Sequence, residues 1–185
     1  SLFDLAAELL EVQSQRELVS REPYPSDDLE RDFLDAFPFH DTADQARAWS
    51  EVQQDLEKSS PMDRLLCGDV GFGKTEIALR TAFRAAITGR QVALLCPTTV
   101  LAEQHSRTFK ARCEPFGLEV ELLSRYRPLK ERRVIPDKTA KGSVDIVVGT
   151  HQLLSKDITF QNLGLCIIDE EQRFGVRQKE RLKQL

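Results

Sequence analysis

From residue 63 onward the chain alternates short apolar runs with longer stretches in which apolar residues recur every three or four positions. The runs are Arg64–Cys67, Val92–Cys96, Leu118–Leu123, Asp145–Val148 and Leu165–Ile168. Four of them are apolar throughout or nearly so, as strands buried on both faces of a parallel sheet should be. Leu118–Leu123 instead alternates Glu119 and Glu121 with apolar residues, which predicts a strand nearer a sheet edge. The intervening stretches, about 74–88, 99–113 and 128–139, read as helices. The alternation predicts an α/β fold: a wound, mainly parallel sheet with helices on both faces.

Upstream the pattern is helical. Leu2, Leu5, Leu9 and Val12 predict an amphipathic helix over 2–19 that Pro23 and Pro25 end. Asp27-Asp28 opens a second short helix carrying Leu29, Phe33 and Leu34 on one side. Phe37-Pro38-Phe39 is a rigid connector before a third helix beginning at Thr42.

With 185 residues there is room for one domain with a real core plus an appendage. No apolar run is long enough to span a bilayer, and Ser1-Leu2-Phe3-Asp4 lacks the basic-then-apolar start of a signal peptide. The missing initiator Met leads us to expect a piece of a longer chain. Cys67, Cys96, Cys113 and Cys166 form no Cys-x-x-Cys pair and have no His at zinc-ligand spacing. Cys67 and Cys96 close short apolar runs and Cys166 lies within one, where free Cys behaves as a small hydrophobe; a reducing cytoplasm suits them better than secretion. Residues 1–44 hold 12 acids and 3 bases, net −9, whereas residues 45–185 hold 18 acids and 23 bases, net +5. A mildly basic body with an acidic arm suits a polyanion-binding lobe, and equally two solvated surfaces of different sign.

The chemistry enters at Gly68-Asp69-Val70-Gly71-Phe72-Gly73-Lys74-Thr75, a complete G-x-x-x-x-G-K-T lying between the predicted strand 64–67 and the helix from 74. Gly68, Gly71 and Gly73 let the backbone curl so that N–H groups point at phosphate oxygens. The helix N-terminus adds its positive dipole end. Lys74 supplies a point charge between β- and γ-phosphates, and the Thr75 hydroxyl can reach Mg²⁺. The implied ligands are a nucleoside triphosphate and Mg²⁺.

A second site narrows the reaction. Leu165-Cys166-Ile167-Ile168-Asp169-Glu170-Glu171-Gln172 is an apolar strand ending in acids. Asp169 can hold the Mg²⁺ whose other ligand is Thr75, while Glu170 can orient and deprotonate an attacking water. Adjacent carboxylates beside a phosphate loop imply hydrolysis more than transfer to an acceptor. No Asn-Lys-x-Asp guanine-reading motif occurs, which weakens a GTPase reading.

With these motifs in place, residues 37–185 resemble a superfamily-two nucleic-acid motor. Phe37-Pro38-Phe39 with Thr42 and Gln45 resembles the adenine-reading element, in which an aromatic (Phe37) stacks on the base and Gln45 bonds its edge. Thr42-x-x-Gln45 is also a capping box, and the two roles are compatible. Pro97-Thr98-Thr99 through His105 resembles the motif whose backbone and hydroxyls meet DNA phosphates, although Thr98 or Thr99 equally serves as a plain N-cap. Ser124-Arg125-Tyr126-Arg127 and Gly149-Thr150-His151 stand just past strands at the places of further DNA-contacting motifs. Candidate DNA-binding residues are therefore Thr98, Thr99, Ser124, Arg125, Thr150 and His151.

Within that superfamily, residues 68–76, 123–127, 149–151 and 169–177 are most similar to the transcription-repair coupling factors. Fork-remodelling helicases of the RecG type are the near neighbours; Phe72 and Glu171 favour the coupling factors. The resemblance implies that residues 37–185 are the first RecA-like lobe of a double-stranded DNA translocase and that residues 1–36 are the helical linker preceding it. Its partners would be duplex DNA and, through regions outside this chain, RNA polymerase and excision-repair proteins, with no membrane. The family usually ends the acidic motif in His where Gln172 stands, which puts in doubt how nucleotide state couples to the neighbouring motif. It also places a second lobe with an arginine finger beyond Leu185. Loss of such a finger removes roughly 10³–10⁵ in rate, so these 185 residues alone should hydrolyse ATP very slowly. From another class, a nucleotide-dependent interaction module without useful turnover stays open.

Overall fold

The computed structural model describes residues 19–69, 73–126 and 128–170. The amphipathic helix expected over 2–19 lies outside the described residues but for its last position, as do Gly71, Arg127, Glu171 and Gln172 entirely. Of the described residues, those within Ser1–Ser26 and Phe39–Ile77 form one compact unit; those within Asp27–Pro38 and Ala78–Leu185 form a second.

The second unit holds the sheet. Strands β1 (Gln91–Leu95), β2 (Val120–Leu123), β3 (Ile146–Gly149) and β4 (Leu163–Ile168) run parallel in the order β2-β3-β1-β4. The alternating segment supplies β2, with Glu121 in the strand and Glu119 just before it, and it stands at an edge as its pattern predicts. Central β1 is buried along its whole length. Because side chains alternate across a strand, the register sorts the core into two faces. Ala93, Leu95, Leu123, Val147, Cys166 and Ile168 share one face with Ile135, Leu153 and Leu154. Val92, Leu94, Val120, Ile146 and Val148, of opposite parity, are equally buried, so both faces are covered.

Helices α3 (Lys74–Ile87), α4 (Thr99–Cys113) and α5 (Leu129–Ala140) follow the predicted stretches within a residue or two. Local chemistry starts α4: the Thr98 hydroxyl accepts the Leu101 N–H at 3.2 Å. At the start of β1 the buried Gln91 amide is fully used. It donates to the carbonyls of Thr139 (2.9 Å) and Val144 (3.0 Å) and accepts from the Asn162 N–H (2.9 Å).

Short helix α1 (Asp28–Asp35), N-capped by Asp27, belongs to this same unit. Phe33, fully buried, stacks on Phe83 of α3 with centroids 3.8 Å apart. Arg112 of α4 lies over the rings of Phe33 (4.6 Å) and Phe37 (5.2 Å). Leu29, expected on the same side as Phe33, is 39% exposed, and the second fully buried residue of α1 is Glu30, at 2%.

The first unit is built on α2 (Ala43–Leu56), which opens with the expected capping box. Its last turn has no basic residue of its own. Arg21 supplies one from afar, its guanidinium donating to the carbonyls of Asp55 (2.8 Å), Leu56 (3.2 Å) and Ser60 (3.1 Å).

One expected strand is corrected. Arg64–Cys67 is no strand: it joins no ladder, and Leu65 is 77% exposed. Arg64 instead binds Asp55 and Glu51 of α2, each at 2.6 Å. Apolarity marks a run for burial, but only a neighbour that completes its hydrogen bonds makes it a strand.

Candidate functional site

The described residues of the phosphate loop, Gly68, Asp69 and Gly73 to Thr75, lie in the first unit. Gly73 has φ +77°, a left-handed backbone that suits glycine, and its carbonyl accepts the first helical N–H groups, from Glu76 (3.0 Å) and Ile77 (3.3 Å). Lys74 and Thr75 follow as the first two residues of α3, and the Lys74 ammonium folds back to donate to the Gly68 carbonyl. Gln45 performs the cap that its spacing predicts: the Thr42 N–H donates to its Oε1 at 2.9 Å. That assignment turns Nε2 toward Gly73, where a Cβ would fall 1.9 Å from it. Gly73 is thus required by its backbone angle, while a Cβ there would oblige the flexible end of Gln45 to shift.

The two aromatics of the connector part company. Phe37 lies in the second unit, half-buried, with Arg80 and Arg112 each 5.2 Å from its ring centroid. Phe39 lies in the first unit with Gln45 and Lys74 and is 71% exposed.

The remaining candidates gather at the carboxyl edge of the sheet. Leu123, Gly149, Leu95 and Ile168 stand at one level of the register. The next residue on each strand, Ser124, Thr150, Cys96 and Asp169, therefore emerges along one line, where open α/β sheets bind ligands. Gly149 is required here although its φ is ordinary: a Cβ would meet the Leu123 carbonyl oxygen at 3.0 Å and Leu153 Cγ at 2.9 Å. Ser124 is buried, and its Oγ accepts the Tyr126 N–H at 3.3 Å. Arg125 and His151 are exposed; Thr150 is buried as the cap of the 3-10 turn His151–Leu154. Thr98 is exposed and is the α4 cap, with Thr99 the first helical residue.

Asp169 is held from two sides. Its N–H donates to the Leu95 carbonyl at 2.9 Å, and its Oδ2 lies 2.8 Å from His105 Nε2 on α4. Burial, and after it the charge of Asp169, pushes the Cys96 thiol up to about 12. Glu170 follows with φ +50°, uncommon for a residue with a side chain. Such angles cost about 1–3 kcal/mol and collect at active sites and ligand clamps. His105 was missed by motif reading as a functional group. Its only local signal was a polar residue one position before the buried Ser106 on a helix whose buried positions are Ala102, Ser106, Phe109 and Cys113.

Residues 42–185 match the DEAD/DEAH box helicase family, and the chain belongs to it. More particularly, it is similar over its whole length to two transcription-repair-coupling factors. It is 51% identical to that of Staphylococcus aureus (strain USA300) and 50% identical to that of Bacillus subtilis (strain 168). The chain spans 16% of the length of these relatives. Among solved structures, RecG bound to a three-way DNA junction is 37% identical with a TM-score of 0.81, covering 89% of this chain and 23% of that one. No helix among the described residues is long and apolar enough to cross a membrane.

Proposed function

We propose that this chain is the ATP-binding lobe of a double-stranded DNA translocase that acts on stalled RNA polymerase and couples transcription to excision repair in the cytoplasm. The observation that carries the reading is the common level of Ser124, Thr150 and Asp169. One sheet edge presents candidate DNA contacts and a candidate metal ligand together. Polymerase and repair proteins would be met by parts of the full-length protein beyond these residues.

The residues fit the nucleotide the family implies. A glycine whose Cβ would strike Gln45 leads directly into Lys74 and Thr75 at a helix start, which suits close approach of phosphates to backbone N–H groups. Thr75 and Asp169 offer the hard oxygens that Mg²⁺ prefers. When bound, ATP supplies a phosphoanhydride bond and Mg²⁺ neutralises the charge on its phosphates. Lys74 would bind the β- and γ-phosphates, Thr75 and Asp169 would each offer the metal an oxygen, and a Glu170 oxygen would accept the proton of the attacking water. Gln45 reads the base edge. An aromatic of the connector, Phe37 or the exposed Phe39, stacks on the base. Thr98, Thr99, Ser124, Arg125, Thr150 and His151 contact the DNA backbone, hydroxyl or guanidinium to phosphate.

The likeness to RecG supports a second reading, a fork-remodelling lobe. ATP turnover by the full-length protein without DNA, with linear duplex and with forked duplex separates them. Strong stimulation by linear duplex is expected; stimulation by forks alone would favour the second reading. Glu170→Gln should keep ATP binding and abolish turnover, and unimpaired turnover would sink the assignment of the base.

A further inference from the structure

We infer that His105 is a positioning residue for Asp169: it fixes the carboxylate by a hydrogen bond to Oδ2 so that the other oxygen is presented to the metal. This deepens the reading of Asp169 as a Mg²⁺ ligand and rests on it.

The geometry is specific. A carboxylate only accepts hydrogen bonds, so at 2.8 Å the His105 Nε2 is the donor. The contact is sheltered, with the His105 side chain 15% and the Asp169 side chain 33% exposed. His105 is itself oriented: its ring meets Phe109 edge-on, at 87° with centroids 6.5 Å apart, and Phe109 is fully buried. The Asp169 backbone is fixed independently by its N–H bond to Leu95. With the main chain tied to β1, the bond to His105 restrains rotation of the Asp169 carboxylate. Ligating carboxylates are commonly held by such outer partners, whose loss typically weakens metal binding or activity 10–100-fold. The helix matters as well. Seven residues separate Thr98 from His105, so the bond lies about two turns, roughly 10 Å, along α4 from the end proposed to meet DNA. One rigid element therefore carries both contacts.

The test uses the full-length protein and needs no catalysis. Mg²⁺ is titrated at fixed fluorescent ATP analogue, and the Mg²⁺ concentration giving half-maximal binding is compared among variants. His105→Leu, which keeps apolar bulk, should raise it about tenfold. His105→Gln, which restores an N–H donor, should stay within about threefold of the unaltered protein, and Asp169→Asn should shift at least as far as His105→Leu. An unshifted His105→Leu, or a Gln variant no better than Leu, overturns the proposal. An unshifted Asp169→Asn overturns the metal-ligand reading beneath it. In chelator and without nucleotide, the change in melting temperature caused by His105→Leu should fall by half or more in an Asp169→Ala background, which has no acceptor for the bond. Additive shifts would show that the bond does not form, and would overturn the proposal on that ground alone.

Discussion

Glu30 and Arg84, 54 residues apart, form a two-pronged ion pair out of solvent: Arg84 Nε donates to Oε1 at 2.7 Å and Nη2 to Oε2 at 2.8 Å. The pair ties α1 to α3, the helix that begins with Lys74 and Thr75. Bidentate geometry of this kind is the strong form of a charged hydrogen bond.

Removing one partner of such a pair takes away the compensation for a buried charge. Glu30→Ala should lower unfolding stability by about 3–5 kcal/mol, measured by urea titration. Glu30→Met with Arg84→Met should recover most of that loss, because an apolar pair of similar volume avoids desolvating two charges. A single variant as stable as the unaltered protein would show that the pair is open to water.

Gly149→Ala should destabilise by about 1–3 kcal/mol, because Leu153 can shift but the Leu123 carbonyl belongs to β2 and cannot. For a chain of this size that corresponds to a fall in melting temperature of very roughly 2–12 °C. Since Gly149 leads directly into Thr150 and His151, duplex-DNA affinity should fall with it. Gly117→Ala, where a Cβ meets nothing within 4 Å, has only its left-handed backbone to oppose it and is the control for strain without crowding.

Asp55 links the pH dependence of the first unit to Arg64. Burial on its own would raise the Asp55 carboxyl, but hydrogen bonds and charge from Arg64 and Lys58 hold it below its ordinary 3.8. A depressed folded value means stability present above 3.8 and lost as pH falls below it, through the folded value. Asp55→Asn should therefore cost less than about 1 kcal/mol at pH 7, given the partial exposure of Arg64. The difference should vanish as the pH falls well below 3.8 in parallel thermal melts.

Thiol chemistry reports on the sheet edge. Cys67 is exposed, whereas Cys96 and Cys113 are buried. Burial pushes the Cys166 thiol up to about 11, and burial with the Asp169 charge pushes Cys96 to about 12 from an ordinary 9.0. The thiolate is the nucleophile, so at pH 8 iodoacetamide should modify Cys67 first and the others only in urea, read by mass spectrometry. Early modification of Cys96 would mean that the strand end beside Asp169 opens to solvent.

The features legible in the amino-acid order are those whose physics is local. Asp27, Thr42 and Thr98 each cap their own helix three residues ahead, and Gly73 needs only its own backbone angle. Glu119 and Glu121 marked β2 as an edge strand because alternation belongs to one strand by itself. Tertiary structure decided whatever needed a distant partner. Arg64–Cys67 is as apolar as the true strands, yet Asp55 and Glu51 hold Arg64 and no ladder receives the run. Two phenylalanines a residue apart look alike in sequence, but Arg80 and Arg112 lie over Phe37 while Phe39 is exposed. The Glu30–Arg84 pair and the His105–Asp169 bond join positions 54 and 64 residues apart. Periodicity encodes which face of an element is buried, but it carries no record of which far-off group that face will meet.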